Sequence, residues 1–446
     1  MSLREFLAKA EEAGHLVRVS REVDPYLEMA RVIDALDGRP VLFERVKGSD
    51  YRVVSGICSQ RAYWALDLGV PQEGLLFVLA EVYAHPVPPE VVDTAPCQQI
   101  IEQDVNLNRL PILTHMRADG GPYVTAGVAV IKDPELGRNA CYHRLMQVDE
   151  RRFTGRIVEG RGTHTAMGKV EGDLEVAICL GVSLPVLLAA AMSPPKGVDE
   201  LGIANALRPT PLIKCVTKDL EVPAEAEIVL EGRITRQTAD EGRFLDLTET
   251  WDILRQQPIF EIDCITHRRD PIYHALLPGK LEHKVLMGMP REPGIYAAVS
   301  KACDCRTVVI TPGGMSWLHA VVQIRKRDAG DGRRAIEAAF EGHGSLKHVV
   351  VVDEDVNPFD PHDVEWAIAT RFQADRDLMV IADQPSSSLD PSALHVPGLK
   401  SRTAKMGLDA TIPWRTWEGR LRSEEERAAF RRVGYEAVDV EEYGVG

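Results

Sequence analysis

The sequence contains no CxxC pair. Its eight cysteines, at positions 58, 97, 141, 179, 215, 264, 303 and 305, are scattered through mostly apolar, strand-like runs. This excludes a disulfide framework and fits a reducing cytoplasm. Cys303-Asp304-Cys305 has no second pair to complete a metal site, so it reads as structural. Positive charge is also short: 52 Lys and Arg stand against 67 Asp and Glu, a net charge of −15. A surface so charged does not bind nucleic acid or anionic membrane in general, and any anionic ligand needs a local basic patch. No apolar run is long enough to span a bilayer. The longest, Leu174 to Met192, is broken by Glu175, Gly181 and Pro185 and reads as a buried strand followed by a helix. There is no GxxxxGK[ST] and no HExxH, and GHGSLK at 342–347 lacks the third glycine of a dinucleotide fingerprint. VDEDVNPFD begins like a calcium loop, but Pro358 replaces its glycine and Val364 its bidentate glutamate. No internal repeat or low-complexity segment is present.

What remains is a long, ordinary globular composition. At 446 residues, with 45% hydrophobic and 27% charged residues, the chain has room for about three domains. Residues 1–111 alternate helix-like stretches with short strands such as PVLFERV and YRVVSGI, an N-terminal α/β domain. Residues 112–300 are strand-dominated, from VTAGVAVIKD to IFEIDCITHR, which predicts a barrel-like core with inserted helices. Residues 301–446 return to strand and helix alternation, a C-terminal α/β domain. The fold class is therefore α+β multidomain. MSLREFLAKAEEAG carries a Ser2/Glu5 capping box with apolar Leu3, Phe6, Leu7 and Ala10, an amphipathic helix and not a signal peptide. A second capping box, Ser423 and Glu426, opens a terminal helix through Phe430 and Val433, packed on its own domain or on a neighbouring subunit.

Two short clusters carry chemistry. Asn139 and Arg144 lie in NACYHR, and Glu241 and Asp246 in EGRFLD. An arginine facing two carboxylates can hold one as an anion and leave the other as a usable acid, because like charges at close range do not both ionise cheaply. In a regular strand Arg144 shares a face with Tyr142 and Met146, and Asn139 with Cys141 and His143, so the pair points apart unless the strand is bulged or strongly twisted. Gly242 between the acids favours a loop. Glu200 in SPPKGVDELG begins a helix, where a first-turn glutamate is favoured by the dipole. His164 in RGTHTA and Lys405 in AKMGLDAT carry no signal beyond residue type. An Asn, His and Glu trio would suit manganese or magnesium.

At these residues the chain resembles the UbiD family of prenylated-flavin-dependent decarboxylases over nearly its full length. The segments that carry the likeness are NACYHR, MSPPKGVDELG, LIKCVTKDLEVPAEAEIVLEG, DEGRFLD, THRRDPIYHA, VVVDEDVNPFDPHDVEWAIATRF and AKMGLDAT, in the family's order. The resemblance implies a central split β-barrel that binds prenylated FMN and a terminal helix used in oligomerisation. It implies that Arg144, Glu241 and Asp246 form a catalytic network, with Asp246 in a position the family fills with Glu or Asp. Asn139, Glu200 and, with about two extra residues before it, His164 match ligands of Mn2+ or Mg2+; K+ is left open. Lys405 matches the lysine that holds the cofactor phosphate, and Asn139 and Arg144 join it at the cofactor. The implied reaction is a reversible decarboxylation of an aromatic, heteroaromatic or α,β-unsaturated acid. Substrate and cofactor form a covalent adduct, carbon dioxide leaves, and Asp246 returns a proton.

The resemblance further implies a flavin prenyltransferase as supplier of the cofactor and a cytoplasmic homodimer or hexamer. Selectivity is expected after THRRDPIYHA, where Leu286, Met287 and Met289 offer an apolar wall. His283, Lys284 and Arg291 lie close by in sequence and could meet a second anionic group. Two alternatives stay open, an ordinary FMN-dependent oxidoreductase and a non-catalytic flavin-binding or assembly protein. Substrate, direction and oligomer size are not legible.

Overall fold

The computed structural model describes residues 2–396 and 399–434. The chain forms two compact units. The first comprises Met1–Gly294, Ile310–Leu318 and Ser387–Ser401, and the second Ile295–Val309, His319–Ser386 and Arg402–Gly446.

The first unit is built on a nine-stranded antiparallel sheet. Across it run Tyr123–Val124, Leu145–Gln147, Arg152–Gly155, Arg255–His267, Ile228–Glu241, Leu174–Leu180, Val128–Asp133 and Gly137–Tyr142, while Ile100–Glu102 also pairs with Arg255–His267. Among the described residues the two ends of this path do not pair, so the expected density of strands makes an open sheet and no closed barrel. The strand Leu174–Leu180 explains its own sequence. Ala177 and Cys179 enter one apolar cluster and Val176, Ile178 and Leu180 another, so both faces are covered and the strand reads as a nearly continuous apolar run. The helix Leu184–Ala191 follows, with Pro185 in its first turn where no amide donor is needed. The interrupted run of the sequence is thus a strand and a helix, both buried. At the N-terminus, the Ser2 hydroxyl accepts from the Glu5 amide and opens the helix Leu3–Glu12, which buries Leu3, Phe6, Leu7 and Ala10. A four-stranded sheet, Val17–Val19, Val41–Phe43, Arg52–Ser55 and Ile272–His274, completes this end of the unit.

The second unit holds a five-stranded sheet in the order Asp304–Ile310, His319–Arg325, His348–Asp353, Arg402–Asp409, Leu378–Pro385. Its inner pairings are parallel and its Leu378–Pro385 edge is antiparallel. Val321, Val350, Val352 and Ala367 form its core. The rejected calcium loop has a structural use here: Asp353 and Asp355 bind the buried Arg371 at 3.3 and 2.6 Å. The terminal helix is shorter than its sequence pattern. It spans Glu424–Ala428 behind the Ser423/Glu426 capping box and stops before Phe430, whose carbonyl is taken by Arg371. Residues 435–446 lie outside the described residues. No described helix is long and apolar enough to cross a membrane.

Candidate active site

The strands Ile228–Glu241 and Arg255–His267 form one long hairpin whose last pair is Glu241 with Arg255. The loop between them, residues 242–254, carries Asp246 and Asp252. It is closed by backbone bonds from Asp246 to Thr250 and from Asp252 to Phe244, 3.1 and 2.9 Å long. Gly120 donates to the Arg243 carbonyl, and a Cβ at Gly120 would meet the Gly242 carbonyl oxygen at 1.7 Å, so only glycine lets these two segments touch.

Arg144 reaches this loop because the strand breaks. Gly137–Tyr142 ends before His143, and Leu145–Gln147 begins after Arg144, which removes the alternation that would have pointed Arg144 away. Its Nε and Nη2 donate to the two oxygens of Glu241 at 2.8 and 2.9 Å, a bidentate pair. Nη1 donates to Asp246 and Nη2 also to Asp252, the latter at 2.8 Å. The guanidinium lies 4.7 Å from the centre of the Phe244 ring, and the Tyr123 hydroxyl donates to Glu241 at 3.4 Å. Glu241 is fully buried, whereas the Asp246 side chain keeps 14% of its surface.

Burial lowers the proton affinity of Arg144, but the Glu241 hydrogen bonds and the charges of Asp246 and Asp252 outweigh it, and the net direction is upward. Asp252 is pushed up by burial and held down by more, by the Arg255 hydrogen bond and the Arg144 charge, to about 2. His283 is lowered, first by burial, and lies near enough to feel Asp246 and Arg144. Phe244 and Leu245, with His115, Leu277 and Lys280, also line a cavity of about 330 Å³, so the loop touches Arg144 and this cavity at once.

Asn139 keeps to the other face, as its parity predicts. Cys141 and His143 follow it there, and the His143 ring is satisfied by Thr163 and by the Arg156 carbonyl at 2.9 and 3.0 Å. Burial lowers His143 to about 4, against the opposing pull of the Arg156 carbonyl. The Asn139 amide donates to Glu200 at 2.9 Å, and the Ala140 backbone donates to its second oxygen at 2.9 Å. Glu200 starts the helix Glu200–Leu207, positioned by the Asp199 cap. Burial pushes its carboxyl up to about 7, and the Asn139 Oδ1 is buried without a partner. A buried acceptor with nothing to accept, beside a carboxyl that burial holds up, fits a hard cation.

His164 shares no hydrogen bond or ion pair with Asn139 or Glu200. It is exposed on the helix Gly162–Lys169, and its side chain makes no hydrogen bond or ion pair with a described residue. A Cβ at the neighbouring Gly162 would stand 2.8 Å from Asn139 Oδ1. Among the described residues no three His, Cys, Asp or Glu side chains form a metal cluster. Lys405 lies in the second unit, buried on the strand Arg402–Asp409, with its Nζ donating to the Gly344 carbonyl at 2.8 Å and lying 5.0 Å from the Phe340 ring.

Of the expected selectivity wall, Leu286 and Met289 belong to the apolar core, and Met287 is half-buried. His283 accepts from the Gly279 amide and Lys284 pairs with Glu249. Sequence reasoning missed Asp252, Tyr123 and Phe244. Asp252 stands three residues before Arg255, and only the hairpin register turns that spacing into a shared contact with Arg144.

Three domains of one family match the chain: the 3-octaprenyl-4-hydroxybenzoate carboxy-lyase N-terminal domain at residues 7–83, its Rift-related domain at 90–281 and its C-terminal domain at 284–410. An anhydromevalonate phosphate decarboxylase of Methanosarcina mazei is 43% identical over 421 residues, covering 92% of this chain and 96% of the relative. The UbiD-class enzyme HmfF from Pelotomaculum thermopropionicum, solved with FMN, superposes with a TM-score of 0.92 at 40% identity, covering 99% of this chain and 100% of that one. An evolved dimeric form of HmfF, solved with prenylated FMN, gives a TM-score of 0.85 at 41% identity over 92% and 95% of the two chains. The chain belongs to the UbiD family and is a carboxy-lyase of that family.

Proposed function

We propose that this chain is a prenylated-FMN-dependent decarboxylase of a non-aromatic, phosphorylated, α,β-unsaturated acid, of the kind named by its anhydromevalonate phosphate decarboxylase relative. The observation that carries the reading is Arg144 bound by Glu241, Asp246 and Asp252. When bound, prenylated FMN supplies the electron sink that loss of carbon dioxide requires. Everything else is the work of side chains.

A guanidinium has five N–H donors. Four of those on Arg144 are taken by the three carboxylates, which leaves one on Nη1, beside Asp246, to orient the substrate carboxylate. Glu241 fixes the plane of the guanidinium from a fully buried position. The cluster sets three carboxylates, Glu241, Asp246 and Asp252, against two guanidiniums, Arg144 and Arg255, so one added proton neutralises it. Glu241 is bidentate on Arg144 and Asp252 is shared by two guanidiniums, whereas Asp246 meets one guanidinium nitrogen and keeps part of its surface, so Asp246 is the proton carrier of this proposal. Asp246 delivers it to the carbon that has lost its carboxyl group, and in the reverse direction removes it. Asn139 and Glu200 would hold Mn2+ or Mg2+, which would supply positive charge for an anionic cofactor, with His164 as the third ligand; this last role rests on the family resemblance. The dimeric form of HmfF supports a homo-oligomer.

The test is to produce the protein with a flavin prenyltransferase and measure carbon dioxide release from anhydromevalonate phosphate and from a panel of aromatic acids. Release from the phosphorylated acid with prenylated FMN, and none with plain FMN, is expected. Turnover with plain FMN would favour an ordinary flavoenzyme, and release from aromatic acids alone would overturn the substrate class.

A further inference from the structure

Most charged groups of the first unit are answered by a partner. Near the expected selectivity segment, Arg61 pairs with the buried Glu292, Lys284 with Glu249, and Arg144 with three carboxylates. Arg291 is the exception. It ends the short turn Met289–Arg291 between the helices Leu281–Gly288 and Glu292–Ala302. Among the described residues it makes no hydrogen bond and no ion pair, and its Nε is cut off from solvent without a partner. Its guanidinium stands 5.1 Å from the centre of the Trp317 ring, a contact that covers the flat face and leaves the N–H edge unused.

The charges around it make matters worse. Burial lowers the Arg291 proton affinity to about 9, and the positive charge of Arg161 adds to the depression. Lys400 is likewise lowered, first by burial and then by Arg161. Arg161 therefore joins two cations that both feel it, and no carboxylate acts on either one. A half-buried guanidinium without an anion is costly, because the donors lost to water are not replaced. A guanidinium left open beside cations that are paired, Arg61, Lys284 and Arg144, has room for an anion from outside.

We infer that Arg291, with Arg161 near it, receives the phosphate of the substrate at the end remote from the reacting carboxylate. This rests on the phosphorylated-acid reading of the preceding section. A planar fork with its donors free suits two oxygens of a phosphate monoester. Phosphate chemistry has a second source here, the cofactor, whose phosphate a cation held by Asn139 and Glu200 would neutralise on the proposed reading.

The experiment separates the sources and does not depend on turnover alone. Holoenzyme, Arg291→Met and Arg291→Lys are compared for kcat/KM on anhydromevalonate phosphate and on the dephosphorylated acid, for flavin content, and for the thermal shift caused by an alkenyl monophosphate. In wild type the monophosphate raises the melting temperature, and in Arg291→Met it does not. The preference for the phosphorylated over the dephosphorylated acid falls about 100-fold in Arg291→Met, the scale of two charge-assisted hydrogen bonds, and partly recovers in Arg291→Lys. Ligand-free Arg291→Met melts at or above wild type, since it removes an unanswered charge. Flavin content stays at the wild-type level. A preference that survives the substitution, a monophosphate shift that survives it, or a loss of flavin with the preference intact each overturns the inference, the last by assigning Arg291 to the cofactor. If wild type decarboxylates only unphosphorylated acids, the proposed function fails, and the thermal shift still decides whether Arg291 binds a phosphate monoester.

Discussion

Asp252→Asn tests the arrangement around Arg144 most directly, because its size can be worked out. One oxygen of Asp252 accepts from Arg144 at 2.8 Å and from Arg255 at 2.7 Å, and the other accepts from the Ile253 amide at 2.8 Å. Its side chain is 10% exposed, so screening by water is small. Burial would raise its pKa, but the Arg255 hydrogen bond and the Arg144 charge bring it from 3.8 to about 2. At about 1.4 kcal/mol for each tenfold change in proton affinity, the ionised group contributes about 2.5 kcal/mol to folding. The folded-state value is depressed, so this contribution is present in full above pH 3.8 and is lost as the pH falls towards 2. Urea unfolding at a series of pH values should show wild type losing about this much on the acid limb. Asp252→Asn should lack it already at pH 7 and have a flatter limb. Because Nη2 of Arg144 is also released, kcat/KM should fall about tenfold through misorientation. A variant within about 0.5 kcal/mol of wild type at pH 7, with an unchanged acid limb, would refute the reasoning.

Three further outcomes follow from named groups. Asp246→Asn, loaded with cofactor, should lose about 100-fold or more of kcat with flavin content intact, since general acids contribute on that scale; a wild-type rate of carbon dioxide release or deuterium exchange would remove Asp246 as the proton carrier. Glu200→Ala should lose both manganese and flavin, read by metal analysis and absorbance, and normal occupancy of both would end the metal assignment. Asp67→Asn should stabilise the protein: burial raises Asp67 from 3.8 to about 6, and its Oδ2 has no partner. A raised carboxyl costs stability as the pH climbs from 3.8 through 6, so the gain should reach at most about 3 kcal/mol at pH 7 and vanish below pH 4 in the same unfolding series.

What the sequence revealed of this site depended on whether a contact is local. Asn139 lies on the face with Cys141 and His143 that strand alternation assigns it, and Glu200 opens a helix as its Pro-Pro and Gly context suggests. Arg144 was ambiguous because alternation holds only while the strand continues, and the break at His143 and Arg144 arises where the strands on either side take different partners, Val128–Asp133 before it and Tyr123–Val124 after it. Asp252 was missed because its contact is not local. Its meeting with Arg144 is set by a hairpin register 108 residues away, and an acidic loop residue carries no mark of that register. The unanswered state of Arg291 was the least legible. Sequence placed it beside His283 and Lys284 as one of three candidate cations, and only the folded contacts show that the other two are engaged.

The contrast between Arg144 and Arg291 bears on how the reaction is driven. A decarboxylase gains nothing from holding the departing carboxylate tightly, since binding realised equally in ground and transition states does not lower the chemical barrier. On the proposed assignment Arg144 meets that condition: four of its five donors are already committed to Glu241, Asp246 and Asp252, which leaves one for the substrate carboxylate. Arg291 has the opposite character, with no donor committed to any described residue. On this assignment the binding energy is concentrated at the phosphate, which does not react, and is withheld from the carboxylate, which does. The phosphate anchor can then hold the acid while a single Arg144 donor orients its head, so removing the anchor should raise KM for the phosphorylated acid far more than it lowers kcat.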